Sequence, residues 1–159
     1  LDPNYVYAYN NKGLALRLLG RLREAIESYD KALALDPTLA YVYDNKGNAL
    51  KDLKEYERAL ECYEKIIELR PDNPGSYDNK AGTLLLLGRY KEAITTYDEA
   101  LLVDPRDVPA YIGKGVALKK LGQYLQAIES YDKAAEIDPT ENLIYLNKGN
   151  ALSELREYH

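Results

Sequence analysis

Tyr43, Lys46, Gly47 and Leu50 stand at i, i+3, i+4 and i+7, on one face of a helix. Ala59, Tyr63 and Ile66 repeat that spacing at i, i+4 and i+7 and predict a second helix. Short turns separate such pairs at Leu19–Gly20, Leu87–Gly88 and Leu121–Gly122. Glycine there suits a left-handed C-cap, which a side chain adopts reluctantly. The second helix of a pair is expected to stop at Asp36–Pro37, Asp104–Pro105 and Asp138–Pro139. A residue before proline is pushed out of the helical region. No stretch alternates as a strand would, so the pattern predicts an all-α chain of helix pairs.

The pairs recur at a fixed step. Tyr9–Gly13 reads YNNKG, 43–47 YDNKG, 77–81 YDNKA, 111–115 YIGKG and 145–149 YLNKG, each 34 residues after the last. Prolines 3, 37, 71, 105 and 139 keep the same step. So do Ala25, Ala59, Ala93 and Ala127, and Tyr29, Tyr63, Tyr97 and Tyr131. Such a period marks stacked supersecondary units. The organisation expected is a single array: 1–5 the tail of a preceding repeat, full repeats at 6–39, 40–73, 74–107 and 108–141, and the first helix of a fifth at 142–159. The small column at Gly13 and its equivalents lets the two helices of a repeat approach, and the column at Ala25 does so from the facing side. Ala32, Ile66, Ala100 and Ala134 are expected to touch the next repeat. Tyrosines fill the space around these contacts, and their hydroxyls are expected to reach a partner.

Composition narrows the function classes. A net charge of −5 leaves no basic footprint for nucleic acid. No apolar run approaches the ~20 residues that cross a bilayer. One cysteine, Cys62, precludes an intrachain disulfide and fits a reducing, cytoplasmic location. Methionine is absent even at position 1, so a processed product or a piece of a longer protein is expected.

These columns resemble the tetratricopeptide repeat. In the first repeat the matching positions read Tyr9, Lys12, Gly13, Leu16, Ala25, Tyr29, Ala32 and Pro37. The resemblance implies a right-handed superhelix of antiparallel helix pairs, with first helices lining a concave face that binds a protein or peptide. Several positions depart from it. Lys12, Lys46, Lys80, Lys114 and Lys148 occupy a column that is usually leucine; their stems can pack while the ammonium reaches solvent, or they can line up charge for a ligand. Ala81 replaces glycine. Ile66 replaces alanine, so a wider junction between repeats two and three is expected. Lys54 stands where the turn wants glycine, at a cost of about 1 kcal/mol if it is left-handed.

By repeat position, the resemblance places Tyr7, Asn10, Asn11, Tyr41, Asp44, Asn45 and Asn48 in the groove of the first two repeats. It places Asp78, Asn79, Lys119, Lys120 and Asn147 there further on. The column Asn11, Asn45, Asn79, Gly113, Asn147 resembles the asparagine ladder of O-linked N-acetylglucosamine transferases. An amide offers an acceptor and two donors together, enough to grip a peptide backbone without reading its side chains. Gly113 interrupts it. The family's other mode, a carboxylate clamp for acidic C-termini, needs cations where this chain has Asp44, Pro109 and Gly113; it is not expected.

No enzyme is expected. The one histidine is His159, the last residue, and no Cys/His spacing suits a metal. Cys62 shares a column with Ser28, Thr96 and Ser130, which reads as a small packing position. No cofactor or metal is implied. Glycines follow the repeat period rather than forming a phosphate loop. The rival to peptide binding is homo-oligomerisation through the array ends. Tyr5, Tyr9 and Leu16 would meet a preceding repeat, and the final helix would expose Tyr145, Leu152 and Leu155. A last helix packed on its own fourth repeat would weigh against that rival.

Overall fold

The computed structural model describes residues 3–157. His159 lies outside them, as do Leu1 and Asp2 of the expected leading tail. Among the described residues the chain forms nine helices and no strand. They are α1 (Pro3–Leu18), α2 (Leu22–Leu35), α3 (Ala40–Asp52), α4 (Tyr56–Leu69), α5 (Pro74–Leu86), α6 (Tyr90–Val103), α7 (Val108–Lys120), α8 (Tyr124–Ile137) and α9 (Asn142–Glu157). The expected all-α class of paired helices is what the chain adopts.

The turns explain the pairing. Gly20, Gly88 and Gly122 have φ of 73°, 73° and 74°. Each turn closes with two hydrogen bonds: Gly20 N to Arg17 O at 3.0 Å and Arg21 N to Leu16 O at 2.9 Å in the first. This is the Schellman arrangement, which satisfies the last carbonyls of the first helix and reverses the chain within a few residues. Lys54 takes the same conformation at φ 63°, the one non-glycine among the described residues with positive φ. The second helices lack a side-chain N-cap. Arg21 and Glu24, and Arg89 and Glu92, pair across the first turn instead. At the exits, Asp36 accepts from Thr38 N and Asp138 from Thr140 N, both at 2.9 Å. The aspartate before proline therefore closes a turn as well as ending the helix.

The helices fall into two compact units, residues 1–76 and 77–159. In the first, α1 packs on α2, α3 on α4, and α2 against α3. Its core holds Val42, Leu50, Tyr29 and Tyr63 at 0% exposure, with Ala25, Ala32 and Ala59 between them. In the second, α7 packs on α6 and α8, and α9 packs on α8 and α7. Tyr131, Ile144, Ala127 and Ala134 are its fully buried centre. The last helix is thus seated on its own fourth repeat, which counts against exchange of that helix between copies.

Three glycines of the small column allow the close approach that was anticipated. A Cβ at Gly13, Gly47 or Gly115 would lie 2.4, 2.8 or 2.4 Å from the ring of Tyr29, Tyr63 or Tyr131. Each tyrosine is seated against the bare backbone of its partner helix. The small polar column is satisfied within its own helix. Ser28, Thr96 and Ser130 donate to Glu24 O, Glu92 O and Gln126 O at 2.9, 3.0 and 3.1 Å. The tyrosine hydroxyls differ from expectation. Tyr63 donates to Asn48 Oδ1 at 3.0 Å. The hydroxyls of Tyr29 and Tyr131 are buried with no hydrogen-bond partner among the described residues. The Asn48 position is Leu14 in the first repeat and Val116 in the fourth, which offer none.

Candidate functional site

In the first unit, α1 and α3 lie side by side, and cross-links at about one-repeat spacing join them. Tyr7 and Tyr41 stack with centroids 6.4 Å apart and planes at 10°. Asn45 Nδ2 donates to Asn10 Oδ1 at 2.9 Å. Arg17 Nε donates to Asp52 Oδ2 at 2.8 Å. One further link ties this face to the core: Asn48 donates to Asp44 at 3.1 Å and accepts from buried Tyr63.

These contacts sort the expected residues. Asn10 is 5% exposed and turned toward α3, so it braces Asn45 rather than meeting solvent. Asn10 therefore offers little surface of its own to a ligand. The same bond also means Asn45, half-buried, is not a neutral surface position. Asn48 is held between Asp44 and Tyr63. Tyr7 at 57% and Tyr41 at 39% remain exposed, as does Asn11. Tyr7 and Asn11 are four apart on α1, and Tyr41 and Asn45 four apart on α3, so each pair shares a helix face.

The second unit differs in chemistry. Lys119 Nζ lies 3.7 Å from Glu154 Oε1, its side chain only 16% exposed, so this cation is engaged within the fold. Lys120 is exposed, and Asn79 and Asn147 are half-buried. Asp78 is half-buried in hydrogen-bonding contact with Asp107, and its Oδ1 is buried without a partner. Burial first, and then the neighbouring Asp107 carboxylate, push its pKa up to about 7. Asp107 also caps α7, accepting from Ala110 N at 3.0 Å. Burial, with Asp78 and Asp107 nearby, raises the Tyr97 phenol strongly as well.

The break in the asparagine column has a steric cause. A Cβ at Gly113 would lie 2.2 Å from Tyr97 Cζ and 2.3 Å from its hydroxyl oxygen. In repeats one, two and four the ring sits on the glycine 16 residues before it. In repeat three that position is Ala81, whose real Cβ occupies the seat. Tyr97 lies over α7 instead, and only glycine fits beneath it. Two departures from the repeat pattern, Ala81 and Gly113, are therefore one packing event. Sequence reasoning registered both and missed the link; the signal was that they flank the same tyrosine.

Three lysines of the column tie helices together. Lys46 pairs with Asp30 and Lys114 with Asp98, both at 2.6 Å, and Lys148 pairs with Asp132. Each joins a first helix to the second helix of the preceding repeat. These three cations are spent at junctions rather than lined up for a ligand.

At the ends, Tyr5 is 62% exposed, while Tyr9 is half-buried against the core and Leu16 is buried. Tyr145 and Leu152 are 50% and 42% exposed, the tyrosine hydroxyl donating to Pro139 O at 3.0 Å. Leu155 is half-buried beside the turn at residues 122–126. Burial pushes the Cys62 thiol up to about 11, so it is protonated near neutral pH. Among the described residues no three His, Cys, Asp or Glu side chains gather as a metal site would. No helix among them is long and apolar enough to cross a membrane.

Comparison with known proteins places the chain. The tetratricopeptide repeat family matches residues 6–39, 40–73 and 108–141. Two further repeat families, described as TPR repeat and tetratricopeptide repeat, match 83–122 and 62–95. No curated protein matches the chain. Among solved structures, a MamA chain from Desulfovibrio magneticus RS-1 is 23% identical with a TM-score of 0.77, over 96% of this chain and 92% of that one. YrrB, described as a TPR protein with an unusual peptide-binding site, is 25% identical with a TM-score of 0.73, over 93% and 76%. The first TPR of Spaghetti (RPAP3), bound to the HSP90 peptide SRMEEVD, is 24% identical with a TM-score of 0.70, over 74% and 93%.

Proposed function

This chain belongs to the tetratricopeptide repeat family, and on that premise we propose that it is a protein-interaction module holding an extended segment of a protein partner against its first helices. The observation that carries the reading is the face of α1 and α3. Two stacked tyrosines stay open there, and the Asn45 amide beside them is fixed by a buried strut. A fixed amide costs little further entropy when it grips a backbone, and an exposed tyrosine pair offers a rigid apolar surface. Asn45 gives one donor hydrogen to Asn10 and keeps its carbonyl oxygen and second hydrogen. Asn11 adds an exposed amide on the same side.

The first unit is the primary seat. Taken by itself, the second unit offers Asp78, Asn79, Lys120 and Asn147 as its candidate contacts, with Lys119 reduced by its pairing to Glu154. YrrB and RPAP3, by their descriptions, bind peptides, which supports this reading. The acidic peptide of RPAP3 is not carried over, because Asp44, Pro109 and Gly113 stand where cations would be needed. The proposal assigns no catalysis. Self-association through the ends is the weaker reading, since α9 stays on α8.

A displayed library of random peptides, selected on this chain, tests the proposal. Selected peptides should bind the parent and lose at least about tenfold in affinity for Tyr7→Ala/Asn11→Ala, whose side chains are exposed and leave the fold intact. Failure to select any peptide, or binding indifferent to that double substitution, would sink it.

A further inference from the structure

The first turn of the second helix carries an ion pair in repeats one to three. Arg21 pairs with Glu24, Glu55 with Arg58 and Arg89 with Glu92. In repeat four the same two positions are Gln123 and Gln126. Both are exposed, and neither amide is bonded by another described residue. Two side chains that satisfy each other elsewhere are here replaced by two with donors and acceptors to spare.

Both glutamines line a cavity of about 490 Å³ formed by α6, α7 and α8. Its apolar part is Ile94, Tyr111 and Leu118, so it reaches down to the core of the second unit. The matching place in repeat two is a cavity of about 400 Å³ lined by Tyr43, Cys62 and charged side chains of α3 and α4. Ile26 and Leu50, the counterparts of Ile94 and Leu118, do not line it and are 5% and 0% exposed. Ile94 is half-buried instead. No residue of α9 lines the repeat-four cavity, and α8 is packed on both α7 and α9, so its opening does not arise at an end of the array.

The lining also states what would fit. Lys114 is held by Asp98 at 2.6 Å and Lys133 by Glu136 at 3.2 Å. Glu129 is exposed and in no ion pair among the described residues. An anion would meet that carboxylate, whereas a cation would complement it. An apolar base with a few convergent polar groups is the make-up of a ligand pocket. Free amides suit an extended backbone, whose N–H and C=O groups are open, and not a helix, whose own bonds already use them.

We infer that this cavity is a second docking site, taking a short extended segment of a partner protein in which an apolar residue stands next to a lysine or arginine. The apolar side chain seats on Ile94 and Leu118, the Gln123 and Gln126 amides pair with the backbone, and the cation meets Glu129. Every residue of the site belongs to the second unit, and the inference does not rest on the α1–α3 reading. A displayed library of random peptides is selected on the Tyr7→Ala/Asn11→Ala protein, which lacks the exposed side chains of the other face. Peptides joining a large apolar residue to an adjacent basic one should be enriched, and labelled copies should bind saturably by anisotropy. Gln123→Arg/Gln126→Glu writes the pair of repeats one and three into repeat four, so thermal melts should not fall. It should weaken binding by at least about tenfold, the worth of two hydrogen bonds. Glu129→Gln should weaken it by about threefold, and by less once glutamine replaces the peptide's cation. No binding below roughly 1 mM, selected peptides without the basic residue, or affinity indifferent to Gln123→Arg/Gln126→Glu overturns the inference. Each of those results leaves the α1–α3 reading standing, because the selected protein is already altered there.

Discussion

If Ala81 and Gly113 are one packing event, their substitutions cannot be additive. Gly113→Asn restores the asparagine column but places a Cβ 2.2 Å from Tyr97 Cζ. The ring must move, and its ordinary seat is closed by Ala81. Overpacking of this kind costs about 1–3 kcal/mol, less a few tenths regained because asparagine is a better helix former than glycine. Ala81→Gly alone costs about 1 kcal/mol in helix propensity, with a little more for the lost methyl. In the double variant Tyr97 can settle over the new glycine, as Tyr29 does over Gly13. The overpacking cost then disappears and only the propensity cost remains. A double-mutant cycle, followed by urea denaturation under circular dichroism, should return a favourable coupling of about 1–2 kcal/mol. Additivity within about 0.5 kcal/mol would refute the idea that the asparagine gap arises from the tyrosine seat.

Asp78→Asn probes the acidic contact on α5. The folded pKa of Asp78 is raised to about 7 from an ordinary 3.8, so its contribution is present below the unfolded value and lost as pH rises through about 7. The variant should therefore be more stable than the parent at pH 8, by on the order of 2 kcal/mol given the carboxyl's partial exposure, and show no such gain near pH 4. Melts at the two pH values decide it, and an equal gain at both would be contrary. Asn45→Ala should cost about 1–2 kcal/mol, because it leaves the buried Asn10 oxygen unpaired, whereas Asn11→Ala should stay within about 0.5 kcal/mol of the parent. Denaturant midpoints separate the two. Tyr63→Phe removes the bond to Asn48 and should lose about 1 kcal/mol, while Tyr131→Phe removes an unpartnered buried hydroxyl and should be neutral or stabilising. Equal losses would show that Tyr131 has a partner after all.

The helices, turns and period were legible because each is set locally. Glycine at a left-handed turn, aspartate before proline, and apolar residues three and four apart act through their nearest neighbours. Lys54 shows how far this reaches, since its φ of 63° follows from its place in the column alone. What the sequence hid lies between helices. Asn10 and Asn11 are adjacent and alike in composition, yet one faces α3 and is buried while the other meets solvent. A helix turns 100° per residue, so a one-position difference decides exposure. The ion pairs of Lys46, Lys114 and Lys148 were not legible because their aspartate partners lie 16 residues earlier, on another helix. Tyr97 departed from its column through a neighbour in the next repeat, which no single repeat reveals.

The central claim is that the open face of α1 and α3 is where a partner's chain lies. The most direct measurement is amide and side-chain NMR of the labelled protein, titrated with a peptide selected on it. Shifts are expected to centre on Tyr7, Asn11, Tyr41 and Asn45, including the Asn11 and Asn45 side-chain amides. Shifts confined to the outward faces of α2 and α4, with those amides unmoved, would contradict it.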